Sequence, residues 1–378
     1  MTVNSGSSPA GTGKSDSAAG GAGQPAADVL GLDVGGAHVK GARVRDGRLV
    51  EAFQIAAPTW HGLHRLAAAL KETRERSAGV GRIAVTLTAE LADAFPSRPA
   101  GVAALAEMLS ATFPGVPVAI YGGRAGFLPL AAAAAHAGDI ASANWHATAA
   151  LVAGRLPEAL LVDVGSTTAD LVPVAGGAVA ARGYSDAERL ATGELLYTGA
   201  TRTPVMAVAG RVPFAGAWQP MMNEHFATMA DVRRLTGELD EATDQHATAD
   251  GRGKSPAESR ARLARMLGRD AADAPDAAWT AVARHLAERQ LRALGDAAAQ
   301  VLSTGVLGPD APLVGAGIGD FLTRPLAARL GRRWVAFADL VPADEAARPW
   351  ATRAAPAVAV ALLTKSDREQ TLPPRGGG

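Results

Sequence analysis

The 378-residue chain contains no cysteine. That excludes disulfides, thiolate metal sites and cysteine nucleophiles, and it suits a reducing, cytoplasmic setting. Any metal must then be held by oxygen or imidazole. Net charge is missing as well: 37 Lys and Arg balance 37 Asp and Glu, so no global field recruits nucleic acid or an anionic membrane surface. Long apolar runs are also wanting. The longest near the C-terminus, residues 354–363, is broken by Pro356 and at about ten residues falls well short of the roughly 20 that span a bilayer. Residues 1–27 are rich in Gly, Ser and Ala and have no apolar h-region, so they read as a disordered tail rather than a secretory leader.

Several catalytic signatures are absent. There is no Gly-x-Ser-x-Gly elbow, which disfavours a serine hydrolase, and no His-Glu-x-x-His pair, which disfavours zinc. The segment Gly251-Arg-Gly-Lys254-Ser255 lacks the earlier glycine of a P-loop and follows no apolar strand.

What the chain does contain is a repeat. Asp33-Val-Gly-Gly-Ala-His-Val-Lys40 and Asp163-Val-Gly-Ser-Thr-Thr-Ala-Asp170 align without a gap, and the same offset of 130 residues holds where Asp46-Gly47 falls on Gly176-Gly177. Two half-sites of one design predict one cleft between them. An Asp at a strand end followed by glycine sets backbone N–H groups beside a carboxylate; the N–H groups can hold phosphate while the Asp holds magnesium directly or through water. Asp33 and Asp163 are therefore candidate catalytic and metal-binding residues, with Gly35, Gly36, Gly165, Ser166, Thr167 and Thr168 as phosphate binders. A single copy would read more readily as a hairpin whose Asp caps its own turn. The second copy, with hydroxyl donors that a mere turn does not require, favours the cleft.

Lys40 and Asp170 occupy equivalent places with opposite charge. Lys40 is either a point charge on a phosphate oxygen, and so part of the catalytic set, or a solvated strand residue. Gly315 and Gly317, in Pro312-Leu-Val-Gly-Ala-Gly-Ile-Gly319, read as a strand entering a Gly-rich turn and a third phosphate contact, although such turns also use glycine purely for φ > 0. His225 lies in the polar phrase Asn223-Glu-His-Phe-Ala-Thr228 and is a candidate substrate residue beside the plainer reading of a satisfied structural histidine.

Apolar periodicity predicts strands over residues 29–34, then through 44 and to about 55, an amphipathic helix on Leu63, Leu66, Ala67 and Leu70, and a strand at 82–87. A helix around 102–109 and a strand at 116–121 follow, and an Ala-rich stretch at 127–153 closes a first domain of residues 28–153. The second domain, 154–378, opens with strands at 159–164 and 169–174. It carries a polar insertion at about 223–275, a helix at 277–302 and a C-terminal helix.

Two Asp-Gly hairpins, a late Gly-rich turn and two similar halves resemble the actin/sugar-kinase/heat-shock ATPase superfamily, an α/β class built from two ribonuclease H-like halves around a cleft. Within it the chain resembles the hydantoinase A/oxoprolinase group. Seven phrases in order narrow the resemblance, over about residues 29–363, to the tetrahydromethanopterin-linked one-carbon and methanofuran-biosynthesis branch. They are Asp33 to Lys40, Leu87-Thr-Ala-Glu-Leu-Ala-Asp93, Ala143-Asn-Trp145, Asp163 to Asp170, Gly193-Glu-Leu-Leu-Tyr-Thr-Gly199, Phe226-Ala-Thr-Met-Ala-Asp231 and Ala249-Asp-Gly251.

The resemblance implies a transferase that joins an (aminomethyl)furanmethyl diphosphate to the phenol oxygen of tyramine or glutamyltyramine and releases pyrophosphate. Its partners would be these small diphosphate and phenolic amine substrates, with Mg2+ as cofactor; ATP is admitted by the fold but not favoured by the reaction. From the shared phrases Glu90, Asn144, Glu194, Asp231 and Asp250 are candidate substrate residues, and Asp93 joins the carboxylates that could take the phenol proton. His38 departs from the pattern, standing where the resemblance implies Asn. Two other functions stay open: an ATP-dependent amidohydrolase of cyclic imides or lactams, for which the chain is short, and a non-catalytic nucleotide switch. The sequence also leaves a homo-oligomer open.

Overall fold

In a computed structural model of the chain, residues 28–370 are described; the expected N-terminal tail lies outside the described residues. Alternating apolar residues broken by turn chemistry fold the start into a meander of β1 (Asp28–Gly35), β2 (His38–Arg45) and β3 (Arg48–Ala56). At the turn between β2 and β3 both Asp46 (φ 48°) and Gly47 (φ 79°) have positive φ, the requirement of a tight hairpin whose twist matches its strands. β1 is buried up to its last residue because it is covered on both faces, which is why it reads as a nearly continuous apolar run.

After α1 (Leu63–Glu75), β4 (Val80–Thr88) adds parallel to β1. After α2 (Arg98–Thr112), β5 (Val118–Tyr121) adds parallel to β4, and β6 (Phe127–Pro129) closes the edge antiparallel. The sheet order is β3-β2-β1-β4-β5-β6. The Ala-rich stretch beyond forms α3 (Ala137–Ile140) and α4 (Asn144–Ala153).

The second half repeats the plan with β7 (Ala159–Val164), β8 (Ala169–Ala175) and β9 (Ala178–Val179), followed by α5 (Asp186–Thr192) and β10 (Leu195–Leu196). The chain then makes the hairpin β11 (Arg211–Phe214) and β12 (Ala217–Pro220), followed by α6 (Met229–Thr236), α7 (Pro256–Arg265) and the long α8 (Asp276–Leu302). It returns to the sheet as β13 (Leu313–Ala316), α9 (Thr323–Arg329) and β14 (Trp334–Ala336), and ends in α10 (Arg348–Arg353) and α11 (Ala355–Gln370). The second sheet runs β10-β8-β7-β13-β14 with β9 also on β8. β7 pairs antiparallel with β8 and parallel with β13, the same directions as β1 with β2 and β4. The chain is therefore the expected α/β fold of two ribonuclease H-like lobes.

Helices α1 and α2 cover the outer face of the first sheet through Leu66, Leu70, Val102 and Leu105, and α8 and α9 cover that of the second through Leu294, Ala298 and Leu326. Between the sheets lie α4 and α11. Helix α4, which closes the first half in sequence, packs on β7, β8 and β9, whereas α11 packs on β1, β2 and β4. The contact is close because it is built of small residues: a Cβ on Gly31 of β1 would stand 1.9 Å from the Ala357 carbonyl oxygen of α11.

The polar stretch at 223–275 is part of a folded subdomain in which β11, α6, α7 and the first half of α8 share a core around Trp279, Leu263 and Val232, with β12 paired to β11 at its surface. This subdomain reaches the first lobe. Gln54 Nε2 donates to the Thr243 carbonyl (3.4 Å) and Gln245 Nε2 donates back to the Gln54 carbonyl (3.1 Å); within the second half, Asp240 pairs with Arg353 of α10 at 2.6 Å. Among the described residues no helix is long and apolar enough to cross a membrane.

Candidate active site

Strand register sets the centre of the site. Asp33 of β1 lies opposite Lys40 of β2, and Asp163 of β7 lies opposite Asp170 of β8, so the two halves put a carboxylate at the same strand end and differ in what faces it. Both turns open onto one cleft of about 380 Å³. It is lined by Asp33, Gly35, Gly36 and Lys40 from the first lobe and by Asp163, Gly165, Ser166, Thr167 and Thr168 from the second.

The two central carboxylates are buried, and burial raises the pKa of both. Asp163 is pushed up to about 7, with the Asp170 carboxylate adding to burial and Lys40 opposing it. Asp33 rises for the same reason, with Lys40 again opposing. Asp170 is raised by burial too, but Arg189 compensates it: Nη1 donates to Asp170 Oδ1 at 2.9 Å, Nη2 donates to the Glu194 carbonyl at 2.9 Å, and the guanidinium lies 3.9 Å from the centre of the Trp145 ring. Asp33 Oδ1 is buried with no hydrogen-bond partner among the described residues.

A buried carboxylate oxygen without a hydrogen-bond partner, in the same cleft as a second buried carboxylate, is costly unless a cation joins them. Hard oxygen donors beside backbone N–H groups and hydroxyls suit Mg2+, which keeps much of its shell as water or phosphate oxygen. Among the described residues there is no group of three or more His, Asp or Glu that would make an all-protein cage.

The cleft has a second character. Trp60, Leu91 and Tyr197 line it while about half exposed, at 45%, 46% and 52%. Large apolar side chains held half in water on a cleft wall are surfaces for a flat apolar ligand. Arg202 lines the same cavity; its guanidinium lies 4.1 Å from the centre of the Trp60 ring, and its Nη1 donates to Thr167 Oγ1 at 3.0 Å. No local pattern in the sequence links Trp60 to Arg202, and both were missed there. The pair exists only once the lobes face each other.

The model of the hydantoinase/oxoprolinase family matches residues 82–338. The chain belongs to this family. A relative from Methanocaldococcus jannaschii, named (4-{4-[2-(gamma-L-glutamylamino)ethyl]phenoxymethyl}furan-2-yl)methanamine synthase, is 32% identical over 240 residues, covering 63% of this chain and 71% of its own. A protein of the same name from Methanococcus vannielii is 36% identical over 107 residues, covering 28% of this chain and 46% of its own. Among solved structures a nucleotide-free acetone carboxylase aligns with a TM-score of 0.49 and 11% identity, over 81% of this chain and 67% of that one.

In this hydantoinase/oxoprolinase-family chain the remaining sequence candidates fall in different places. Asn144, at the start of α4, and Asp93 line the cleft. Glu90 lies behind its wall, buried, accepting a hydrogen bond from the cleft residue Ser142 at 2.8 Å; burial raises its pKa. Gly315 and Gly317 do not line the cavity. Gly317 (φ 87°) instead lets the turn pass so close to β7 that a Cβ would stand 2.5 Å from Asp163 Oδ1, and Gly315 makes room for Thr323 and Trp334.

Glu194 is buried, with its carboxylate accepting from the Arg182 and Gly183 backbone N–H groups at 2.7 and 2.9 Å. Asp231 accepts from the Thr228 N–H at the start of α6 and from Arg262 Nε at 2.8 Å, and Asp250 pairs with Arg262 and Arg265. These two hold the subdomain together. His225 is exposed and outside the cleft lining.

Proposed function

We propose that this protein is a magnesium-dependent transferase that joins an (aminomethyl)furanmethyl diphosphate to the phenol oxygen of tyramine or glutamyltyramine, in the biosynthesis of a methanofuran-type one-carbon carrier. The observation that carries the reading is the composition of the single cleft. Two glycine-bearing turns and the two buried carboxylates Asp33 and Asp163 share it with the half-exposed apolar rim of Trp60, Leu91 and Tyr197, surfaces that a reaction between a diphosphate and two flat rings would use. The name of the Methanocaldococcus jannaschii relative describes a phenoxymethyl-furan, the ether that such a reaction makes.

In this reading the bond between the furfuryl carbon and the diphosphate oxygen breaks with its electron pair leaving on oxygen, and the ring oxygen stabilises the developing cation. The phenol oxygen forms the new C–O bond. Its proton passes to Asp93, an exposed cleft carboxylate with no ion-pair partner among the described residues. The turn N–H groups after Gly35 and Gly165, the Thr167 and Thr168 hydroxyls and Lys40 hold the leaving diphosphate, and the rim fixes the two rings within reach of one another. Asp33 and Asp163 would hold Mg2+, which neutralises charge on the departing pyrophosphate.

The test is pyrophosphate and aryl ether formation by the purified protein with Mg2+, the furfuryl diphosphate and tyramine or glutamyltyramine. Asp33→Asn, nearly isosteric, is expected to lower turnover by about 100-fold or more while melting like the parent. Undiminished turnover by that variant would remove Asp33 from the chemistry. Phosphate release from ATP with no pyrophosphate from the furfuryl substrate would turn the reading to a nucleotide-driven amidohydrolase or switch.

A further inference from the structure

The large buried arginines of this molecule each find a carboxylate. Arg189 holds Asp170, Arg262 holds Asp231 and Asp250, and Arg233 holds Glu238. Arg202 is different. It is partly buried in the cleft, burial lowers its pKa, and among the described residues no carboxylate pairs with it. Its described contacts are the Thr167 hydroxyl and the face of Trp60, which comes from the opposite lobe. A guanidinium has five N–H donors in a planar fork, so most of Arg202's hydrogen-bonding capacity is unused where it faces the cavity.

Two imidazoles stand beside it. His38, only 5% exposed, lines the cleft, and its Nε2 is buried with no hydrogen-bond partner among the described residues. The His246 ring lies 4.3 Å from the His38 ring and 5.1 Å from the Trp60 ring, and its Nε2 is likewise buried and unpartnered. Burial and the neighbouring cations keep both rings neutral at neutral pH. Lys40 lines the same cavity. Arg202, Lys40 and His38 line one wall, with His246 stacked behind His38; the unpaired guanidinium, and the His38 ring in the tautomer that carries its proton on Nε2, are both answered by an oxyanion.

We propose that Arg202, braced on Trp60 and flanked by His38 and His246, forms the subsite for the terminal phosphate of the diphosphate substrate. The inference rests on the transferase reading above and adds to it a direction. The diphosphate points from the Asp33 and Asp163 turns toward Trp60, with Arg202 and Thr167 holding it from the second lobe and His38 from the first. A planar bidentate fork also distinguishes this position from a simple point charge, so lysine at 202 should serve only in part.

The deciding measurement is calorimetric binding of inorganic pyrophosphate, with and without Mg2+, to the full-length protein and to Arg202→Gln, Arg202→Lys and Trp60→Leu. Arg202→Gln is expected to weaken pyrophosphate binding at least tenfold, Arg202→Lys less, and Trp60→Leu by a few-fold, with inorganic monophosphate much less affected. Pyrophosphate bound equally well by Arg202→Gln and the parent overturns the subsite, even if the parent makes the ether. A parent that makes no ether but loses pyrophosphate affinity on Arg202→Gln keeps the subsite and discards the transferase reading. A parent that neither turns over nor binds pyrophosphate discards both. Should Arg202→Gln fold poorly by its melting temperature, Arg202→Lys and Trp60→Leu decide the matter, since unchanged affinity in both also overturns the subsite.

Discussion

His146 lies in the first turn of α4 between the sheets, nearly enclosed, with Nδ1 2.9 Å from the Tyr121 hydroxyl. Burial, helped by Arg124 and Arg189, lowers its pKa to about 4 from an ordinary 6.5. The unfolded chain therefore binds this proton more readily than the folded one between pH 6.5 and about 4. Its contribution to stability is complete above pH 6.5 and is lost as pH falls through that window, reaching about 3 kcal/mol at the acid end. Most of that loss is complete by pH 5. His146→Gln is expected to flatten the acid dependence of the melting temperature between pH 7 and 5, and an unchanged slope would place the sensitive proton elsewhere. Nothing in the sequence around His146 distinguishes it from the other histidines, because what lowers its pKa is an enclosure made by strands and loops far along the chain. Asp33 and Asp163 could be singled out in the sequence for the opposite reason. Their chemistry is local, a carboxylate and a glycine turn within four residues, and it occurs twice.

At the scale of elements, the meanders were readable because short apolar runs bounded by turn chemistry leave a local record, and the strand predicted at 116–121 differs from β5 only at its first two residues. The Ala-rich stretch gave no comparable direction. Alanine favours a helix but does not say which sheet the helix will meet, and α4 lies on the second sheet while α11 lies on the first. The β1 to α11 crossing depends on Gly31, where any Cβ would meet the Ala357 carbonyl and the Ala361 methyl. Gly31→Ala is expected to destabilise the protein by about 1–3 kcal/mol or more, in the range of overpacked cores, and to loosen α11, read by denaturant midpoint and by faster amide exchange in α11. Full stability in that variant would mean that helix and strand can separate at little cost.

For the whole molecule, the exchange of helices makes each lobe's inner face the other half's responsibility. Residues 28–153 made alone would expose Val29, Ala42, Val44 and Ala84 of the first sheet, which α11 covers in the intact chain. Such a fragment is expected to bind a hydrophobic dye and associate, whereas the full chain does neither; a monomeric, dye-silent fragment would show that the lobe closes without α11. The subdomain adds a further tie through Gln54 and Gln245. The polar composition of residues 223–275 marked an excursion, but its anchorage on β3 is a contact between distant residues that composition does not encode.

The position of α11 has a consequence for synthesis. The first sheet leaves the ribosome early, yet the helix that seals its inner face begins only at Ala355. Until then a mixed sheet with parallel pairing at its centre waits with an apolar face open, a condition in which nascent chains are exposed to misassociation. Translation speed and chaperone supply should therefore govern the yield of this protein more than the final stability of its fold.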